Sequence, residues 1–110
     1  MAKFGGFGGN PMQMQNLMRQ AQRMQQEAME AQAEVDEAIV EGSASGGLVS
    51  VKILGTKEVQ EVKIDPSVVD PDDVEMLEDL IVAAINDAGR KADALRSEKL
   101  GKFSSIGGLM

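Results

Sequence analysis

The sequence has 110 residues, a formal net charge of −7, and neither cysteine nor histidine. A chain of this length has room for one domain, whose folding buries roughly 60–70% of the surface that the unfolded chain exposes. The missing cysteine and histidine exclude disulfides, the usual nucleophile–base pairs and most zinc ligand sets. We therefore expect a protein that is not an enzyme and has no cofactor. The longest aliphatic run, Leu80–Ile85, is much shorter than the ~20 residues of a membrane helix, which predicts a soluble cytoplasmic protein.

The beginning of the chain predicts a flexible arm followed by a long helix. Residues 1–10 are rich in glycine, and Asn10 with Pro11 has the pattern of a helix N-cap followed by proline at the first helical position. No glycine or proline then interrupts the chain until after Asp36, so we expect a helix of about 25 residues. Small and apolar side chains recur along it every three or four residues, which is typical of a helix that packs lengthwise against a partner. This stripe consists of Met14, Leu17, Ala21, Met24, Ala28, Ala31, Val35 and Ala38.

The middle of the chain has the pattern of a small β-sheet. Residues 37–44 are rich in β-branched side chains, Ser45-Gly46-Gly47 is a turn signal, and residues 48–54 alternate in the manner of a strand. A second turn at residues 55–57 precedes a third strand over residues 59–64. Consecutive strands with short links predict an antiparallel meander, and such a sheet needs a helix layer or a partner on its apolar face.

A second helix follows the sheet. Asp70 and Pro71 repeat the capping pattern, so we expect a helix from Pro71 to about Leu100, followed by a flexible tail over residues 101–110. Residues 11–100 thus predict a single α+β domain with the order helix, three-stranded antiparallel sheet, helix. The buried stripe of the second helix is expected to consist of Val74, Leu77, Leu80, Ile81, Ala84, Ile85, Ala88, Ala92 and Leu95.

The charges are segregated along the chain. Residues 1–26 contain three bases and no acid, whereas residues 27–46 contain six acids and residues 65–88 contain eight acids, both without a base. Residues 89–110 are basic again. If the free ends of both helices lie on the same side of the sheet, they form a positive region apart from an acidic body, and phosphate binding responds to such a local field more than to net charge. Ordinary solvated helix faces would also explain these charges.

Three segments make the sequence similar to a known family. Ile64-Asp65-Pro66-Ser67 is followed by the run from Met76 to Ala88, MLEDLIVAAINDA, and the segment from Gly46 to Val51, GGLVSV, agrees as well. With the Met- and Gln-rich first helix, these segments resemble the YbaB/EbfC family of nucleoid-associated proteins along nearly the whole chain. The resemblance implies a helix–sheet–helix subunit, a tweezer-like homodimer with projecting helices, and binding of double-stranded DNA with little sequence preference.

The resemblance does not identify individual DNA contacts, because the basic positions lie outside the matching segments. We select the candidates from the location of charge alone. They are Arg19, Arg23, Arg90, Lys91, Arg96, Lys99 and Lys102.

The residues leave other functions open. The runner-up is a protein-interaction or chaperone-like helical module that uses the Met- and Ala-rich first helix, because methionine surfaces adapt to varied partners. The acids between Asp70 and Asp79 lack the glycine and glutamate spacing of a calcium loop, so we expect no metal site. The glycine run at residues 5–9 lacks the lysine and hydroxyl of a phosphate-binding loop.

Overall fold

The computed structural model describes residues 11–107, with side chains described as far as Phe103. The predicted flexible arm over residues 1–10 therefore lies outside the described residues. The chain divides into two units, residues 1–30 and residues 31–110, and each is described below by itself. Neither helix within residues 11–107 is both long enough and apolar enough to cross a membrane.

The predicted α+β order is confirmed. Helix α1 (Pro11–Glu37) is followed by strands β1 (Ile39–Ala44), β2 (Val49–Leu54) and β3 (Val59–Ile64), and then by helix α2 (Val74–Gly107). The strands form one antiparallel sheet in the order β1-β2-β3, with β2 in the centre. Short links favour this meander, because consecutive antiparallel strands need only a tight turn between them.

The first unit contains most of α1, and its apolar stripe is exposed. Met14 is 60% exposed and Leu17 is 57% exposed, although the 3–4 spacing predicted a covered face. Of residues 11–30, only Ala28 is partly buried. This part of the chain therefore contains a helix whose apolar face is not covered by the residues that the structure describes.

The core of the second unit lies between α2 and the two strands β1 and β2. Alternate residues of β2, Val49, Val51 and Ile53, are buried. Against them α2 packs a row of alanines, Ala84, Ala88 and Ala92, which are at most 1% exposed. Small side chains in this row let the helix backbone approach the sheet closely.

Gly42 on β1 is the point of closest approach. A Cβ atom at this position would overlap the backbone of α2 at Ala84 and Ala88. A glycine in a strand interior lowers strand stability, and a close approach of another backbone is one of the reasons it is retained. The contact fixes α2 over β1 and β2, and it leaves β3 largely uncovered.

The end of α1 is fixed to the end of β2 by Gly55. Its amide N donates to the carbonyl of Ala38 at 2.9 Å, and a Cβ at Gly55 would overlap the carbonyl of Val35. Val35 is the buried residue of α1. The last turn of α1 therefore belongs to the core of the second unit.

Helix α2 begins three residues later than the sequence predicted. Asp70 was expected to be the N-cap, but its side chain accepts from the amide of Asp72 at 2.9 Å and forms a turn that contains Pro71. Asp73 is the residue that caps the helix, because its carboxylate accepts from the amide of Met76 at 3.2 Å. Both aspartates have the chemistry of a cap, and the turn places the second one at the helix entrance.

The far end of α2 and its buried face also differ from the expectations. The helix continues past Leu100 to Gly107, whereas a flexible tail was expected from residue 101. Gly101 has no positive φ angle, so it does not end the helix, and an isolated glycine costs only about 1 kcal/mol. Val74 and Ile85 were assigned to the buried stripe and are instead 51% and 37% exposed. Val74 opens the first turn, and Ile85 borders a groove beside Ile53 and Lys57.

We predict that Gly42→Ala destabilises the protein because the added methyl group meets the α2 backbone. Overpacking of this kind costs roughly 1–3 kcal/mol, and a backbone neighbour relaxes less readily than a side chain. The measurement is the free energy of unfolding by urea. The matched control is Gly101→Ala, whose Cβ would meet nothing within 4 Å and which is expected to be neutral or to stabilise by up to roughly 1 kcal/mol. Equal stability of both variants would contradict the close contact.

Candidate nucleic-acid interface

Arg19 and Arg23 form one basic face of α1, which we call the arginine face. They are one helical turn apart, so their side chains project from the same side of the helix. At 100° per residue, this side is opposite to the stripe that contains Leu17 and Met24. Both arginines are exposed, and neither forms an ion pair with any residue whose side chain is described. Glu27, the first acidic residue of α1, lies one helical turn after Arg23 on the same side, but no ion pair joins them among the described side chains.

Arg90 and Lys91 share one carboxylate. The Lys91 ammonium lies 3.1 Å from Asp87, and the Arg90 guanidinium lies 3.7 Å from it. The same carboxylate accepts from the backbone amide of Ser43 at 3.0 Å. The amide hydrogen bond, together with the hydrogen bond from Lys91, holds the pKa of Asp87 below its usual range. The positive charge of this pair is therefore partly neutralised by a well-ionised partner.

Arg96 is a structural residue in this chain. Its guanidinium donates to Asp36 at 3.0 Å and to the carbonyl of Gly55 at 3.0 Å. Lys99 approaches Glu34 to 3.6 Å in the same region. Both interactions connect the last turns of α1 to α2, because Glu34 and Asp36 belong to α1. Arg96 was predicted to contact phosphate only from its position in a basic segment. In the structure its guanidinium N–H groups donate to oxygens of the protein itself.

Lys102 lies over the ring of Phe103, with its ammonium 5.0 Å from the ring centroid. This distance is within the range of a cation–π interaction. The five basic candidates of α2 are spread around the helix rather than aligned, since 100° per residue separates Arg90 from Lys91 and about 120° separates Arg90 from Arg96. The structure thus brings the candidates of α2 together on one element but not on one face.

Three lysines lie in the sheet region and were not among the predicted DNA contacts. Lys57 forms an ion pair with Asp93 at 2.7 Å. Lys52 lies between Glu41 and Glu61 in the strand register, and Lys63 lies 3.5 Å from Glu61. Charged and apolar residues alternate along these strands in the sequence. This alternation predicts that the lysines lie on a solvated face of the sheet. The arginine face has less carboxylate compensation than these lysines and than the ion-paired candidates of α2.

Comparison with known proteins supports a common origin for the whole chain. A family model described as the YbaB/EbfC DNA-binding family matches residues 9–109. A protein of Ruminiclostridium cellulolyticum named "Nucleoid-associated protein" is 49% identical over 106 residues, covering 96% of this chain and 90% of that protein. A protein of the same name from Rhodococcus opacus is 55% identical over 97 residues, covering 88% of this chain and 85% of that protein.

The fold has also been observed in a solved structure. The uncharacterized protein HP0035 from Helicobacter pylori is similar with a TM-score of 0.56 and 24% identity, covering 71% of this chain and 90% of that one. At this level of identity the likeness concerns the fold alone.

We predict that Asp87→Ala lowers the free energy of unfolding at neutral pH, because Ser43 loses its acceptor and the two bases lose their partner. A carboxyl group whose pKa is lowered in the folded state stabilises the protein above its unfolded pKa, and it loses that contribution as pH falls through the lowered value. The difference between parent and variant should therefore be constant above about pH 5 and shrink below about pH 4. Urea unfolding at several pH values measures it. Asp79→Ala, an exposed carboxylate on the same helix, is the control, and a difference that grows as the pH falls would contradict this role for Asp87.

Proposed function

Because the chain belongs to the YbaB/EbfC DNA-binding family, we propose that it is a nucleoid-associated protein that binds duplex DNA as a homodimer, mainly through phosphate contacts. The observation that carries the choice of surface is the exposed arginine face of α1, which has no ion-pair partner among the described side chains. Binding of this kind takes place on chromosomal DNA, so we place the protein in the nucleoid. By neutralising phosphates it would alter the conformation of the bound DNA and thereby affect gene expression.

Phosphate contact suits the chemistry of the arginine face. Guanidinium groups form bidentate hydrogen bonds with phosphate oxygens, and an exposed guanidinium without a carboxylate partner has its donors available. Association releases counterions from the DNA, which favours binding whatever the base sequence. Phosphates carry no sequence information, so contacts of these arginines with phosphates would be in keeping with little sequence preference.

A net charge of −7 does not oppose this proposal. Exposed charges separated by more than about 8–10 Å are largely screened at physiological salt, so the acids of residues 65–88 do not cancel the field at the arginine face unless they lie close to it. The bases of α2 contribute less in our proposal. Arg90, Lys91 and Lys99 would have to exchange a carboxylate for a phosphate, and Arg96 would also leave the carbonyl of Gly55.

The proposed homodimer is supported by the apolar surface that the single chain leaves exposed. Besides the stripe of α1, large apolar side chains are exposed on β3 and α2, including Val59, Val62 and Val82. Large exposed apolar side chains in each unit are the kind of surface that protein–protein contacts bury. A second chain would also double the number of arginine faces available to one DNA duplex.

The runner-up function is a protein-interaction or chaperone-like module. It is favoured by one observation, the exposure of Met12, Met14 and Met18 on α1, because methionine side chains adapt to varied apolar partners. A salt titration separates the two functions. DNA affinity that falls steeply with salt supports the first, and no DNA binding at about 50 mM salt contradicts it.

We predict that Arg19→Gln/Arg23→Gln weakens duplex DNA binding by about tenfold or more at about 50 mM salt. The log–log slope of affinity against salt should become shallower by about 0.9 for each phosphate that the variant no longer neutralises. Fluorescence anisotropy with labelled duplexes of two unrelated sequences measures both effects. The decrease in affinity should be similar for the two duplexes, because phosphates carry no sequence information.

The matched control for this experiment is Lys52→Gln/Lys57→Gln, which removes the same charge from the sheet region. It is expected to change DNA affinity much less if location matters more than total charge. Equal decreases in affinity for both double variants would show that net charge decides binding, and an unchanged affinity for the arginine variant would remove the arginine face from the interface.

We further predict that the full chain sediments as a dimer at micromolar concentration, with twice the monomer mass of 11.7 kDa. The physical reason is that burying the exposed apolar surface is favourable by about 25 cal/mol per Å². Sedimentation equilibrium over a range of loading concentrations is the appropriate measurement. A mass of one chain throughout this range would contradict the homodimer.

A further inference from the structure

The polar side chains of α1 change their chemistry part of the way along the helix. From residue 13 to residue 26 every polar residue is a glutamine, an asparagine or an arginine, and no acid is present. From residue 27 to residue 37 the polar residues are acids, with Gln32 as the one exception. Glutamine and glutamate have similar helix propensities, so helix formation does not account for the change. The amides of the first part therefore call for a different explanation.

Three of these amides form a row beside the arginine face. At about 100° per residue, Gln15, Gln22 and Gln26 lie within about 40° of one another around α1, and their centre is about 60° from that of the arginine face. We call them the glutamine row. All three are exposed. Gln15 and Gln22 form no hydrogen bond with another described side chain, and Gln26 donates to Glu30 over a long 3.5 Å.

The chemistry of the glutamine row suits base edges better than phosphates. An uncharged amide releases no counterion from DNA, so it adds nothing to the salt-dependent part of binding. A glutamine amide can instead pair with adenine through two hydrogen bonds, because its Oε1 accepts from the N6 amino group and its Nε2 donates to N7. Both adenine atoms are accessible in the major groove of duplex DNA.

The dimensions of α1 also favour the major groove. An α-helix with its side chains is about 10–12 Å across, whereas the major groove is about 12 Å wide and the minor groove only about 6 Å. The side chains of residues 11–27 are all exposed, so none of the described residues covers this part of the helix. With the glutamine row directed at the floor of the groove, the arginine face lies to one side of it, towards the phosphates of the groove wall.

We propose that the glutamine row contacts adenine edges in the major groove while the arginine face binds the adjacent phosphates. The inference rests on the proposed function and adds to it the groove and the base that are contacted. The larger part of the affinity stays independent of sequence, because the arginines contact phosphates. The glutamine row adds a modest preference for duplexes that contain adenine.

The experiment compares two A·T-rich duplexes that are identical except that every adenine in one of them is 7-deazaadenine, which has carbon in place of N7. The substitution keeps the phosphates and the base pairing and removes one acceptor from the major groove. Fluorescence anisotropy with the full chain at about 50 mM salt measures both affinities. The parent chain should bind the 7-deazaadenine duplex roughly fivefold or more weakly, because the Nε2 donors lose their acceptors.

The variant Gln15→Ala/Gln22→Ala should bind the two duplexes with nearly equal affinity. Its log–log salt slope should equal that of the parent, since no charge is removed. Both positions are exposed and alanine is the best helix former, so the variant is expected to fold. The matched control is Gln20→Ala/Gln25→Ala, whose positions lie about 80–140° from the centre of the glutamine row. It should distinguish the two duplexes as the parent does.

The outcomes separate this inference from the proposed function. Discrimination by the parent and the control, together with its loss in Gln15→Ala/Gln22→Ala, supports adenine contact by the glutamine row. Equal binding of both duplexes by the parent overturns the inference and leaves a protein that binds phosphates alone. Equal discrimination by all three proteins also overturns it, because other residues then contact N7. A parent chain that binds neither duplex overturns the proposed function as well.

Discussion

The close contact between α2 and β1 at Gly42 is the constraint on which the second unit depends. Because no side chain occupies this position, the backbone of α2 reaches the sheet at Ala84 and Ala88. The contact places the helix over β1 and β2, buries the alanine row, and brings Asp87 within 3.0 Å of the Ser43 amide. The position of α2 over β1 and β2 also leaves β3 uncovered, because one helix is about 10 Å wide and neighbouring strands are about 4.8 Å apart. A single helix therefore covers two strands well, and the third is left uncovered by the described residues.

A second constraint acts where α1 joins the sheet. Gly55 accepts a hydrogen bond from Arg96, donates one to Ala38 and leaves no space for a side chain beside Val35. Arg96 also binds Asp36, so one guanidinium connects the end of α1, the end of β2 and α2. Donors directed at a carbonyl and a carboxylate within the fold are not available to a phosphate at the same time. Binding a phosphate through Arg96 would therefore require these two hydrogen bonds within the fold to break.

Charge in this protein therefore has two distinct uses. In α2 most of the bases neutralise nearby acids, with Asp87 serving Arg90 and Lys91 and with Glu34 serving Lys99. In the first part of α1 the bases have no such partners among the described side chains, and the opposite side of the helix is apolar. A helix with one cationic face and one apolar face suits a protein that assembles with one surface and binds a polyanion with another.

The sequence determined the order and type of the elements, because these depend on local periodicity. The 3–4 spacing defined both helices, alternation defined the strands, and the segment around Asp65-Pro66 with the run from Met76 to Ala88 identified the family. The Asn10-Pro11 signal predicted a helix from Pro11 onward, and the described residues from Pro11 to Glu37 are helical. The location of the basic residues was likewise a property of the sequence.

Only the tertiary structure decided which of those residues retain free charge and which apolar faces are covered. Periodicity assigned Ile85 and Ala88 to the same stripe, yet Ala88 is buried and Ile85 is partly exposed, because the position of α2 over two strands decides coverage. Two aspartates had the chemistry of a helix cap, and the turn at Pro71 selected Asp73. The role of Arg96 depends on Asp36, which is 60 residues away in the sequence. A charge pattern read along the chain cannot contain that pairing, because it exists only after the helix and the sheet have packed.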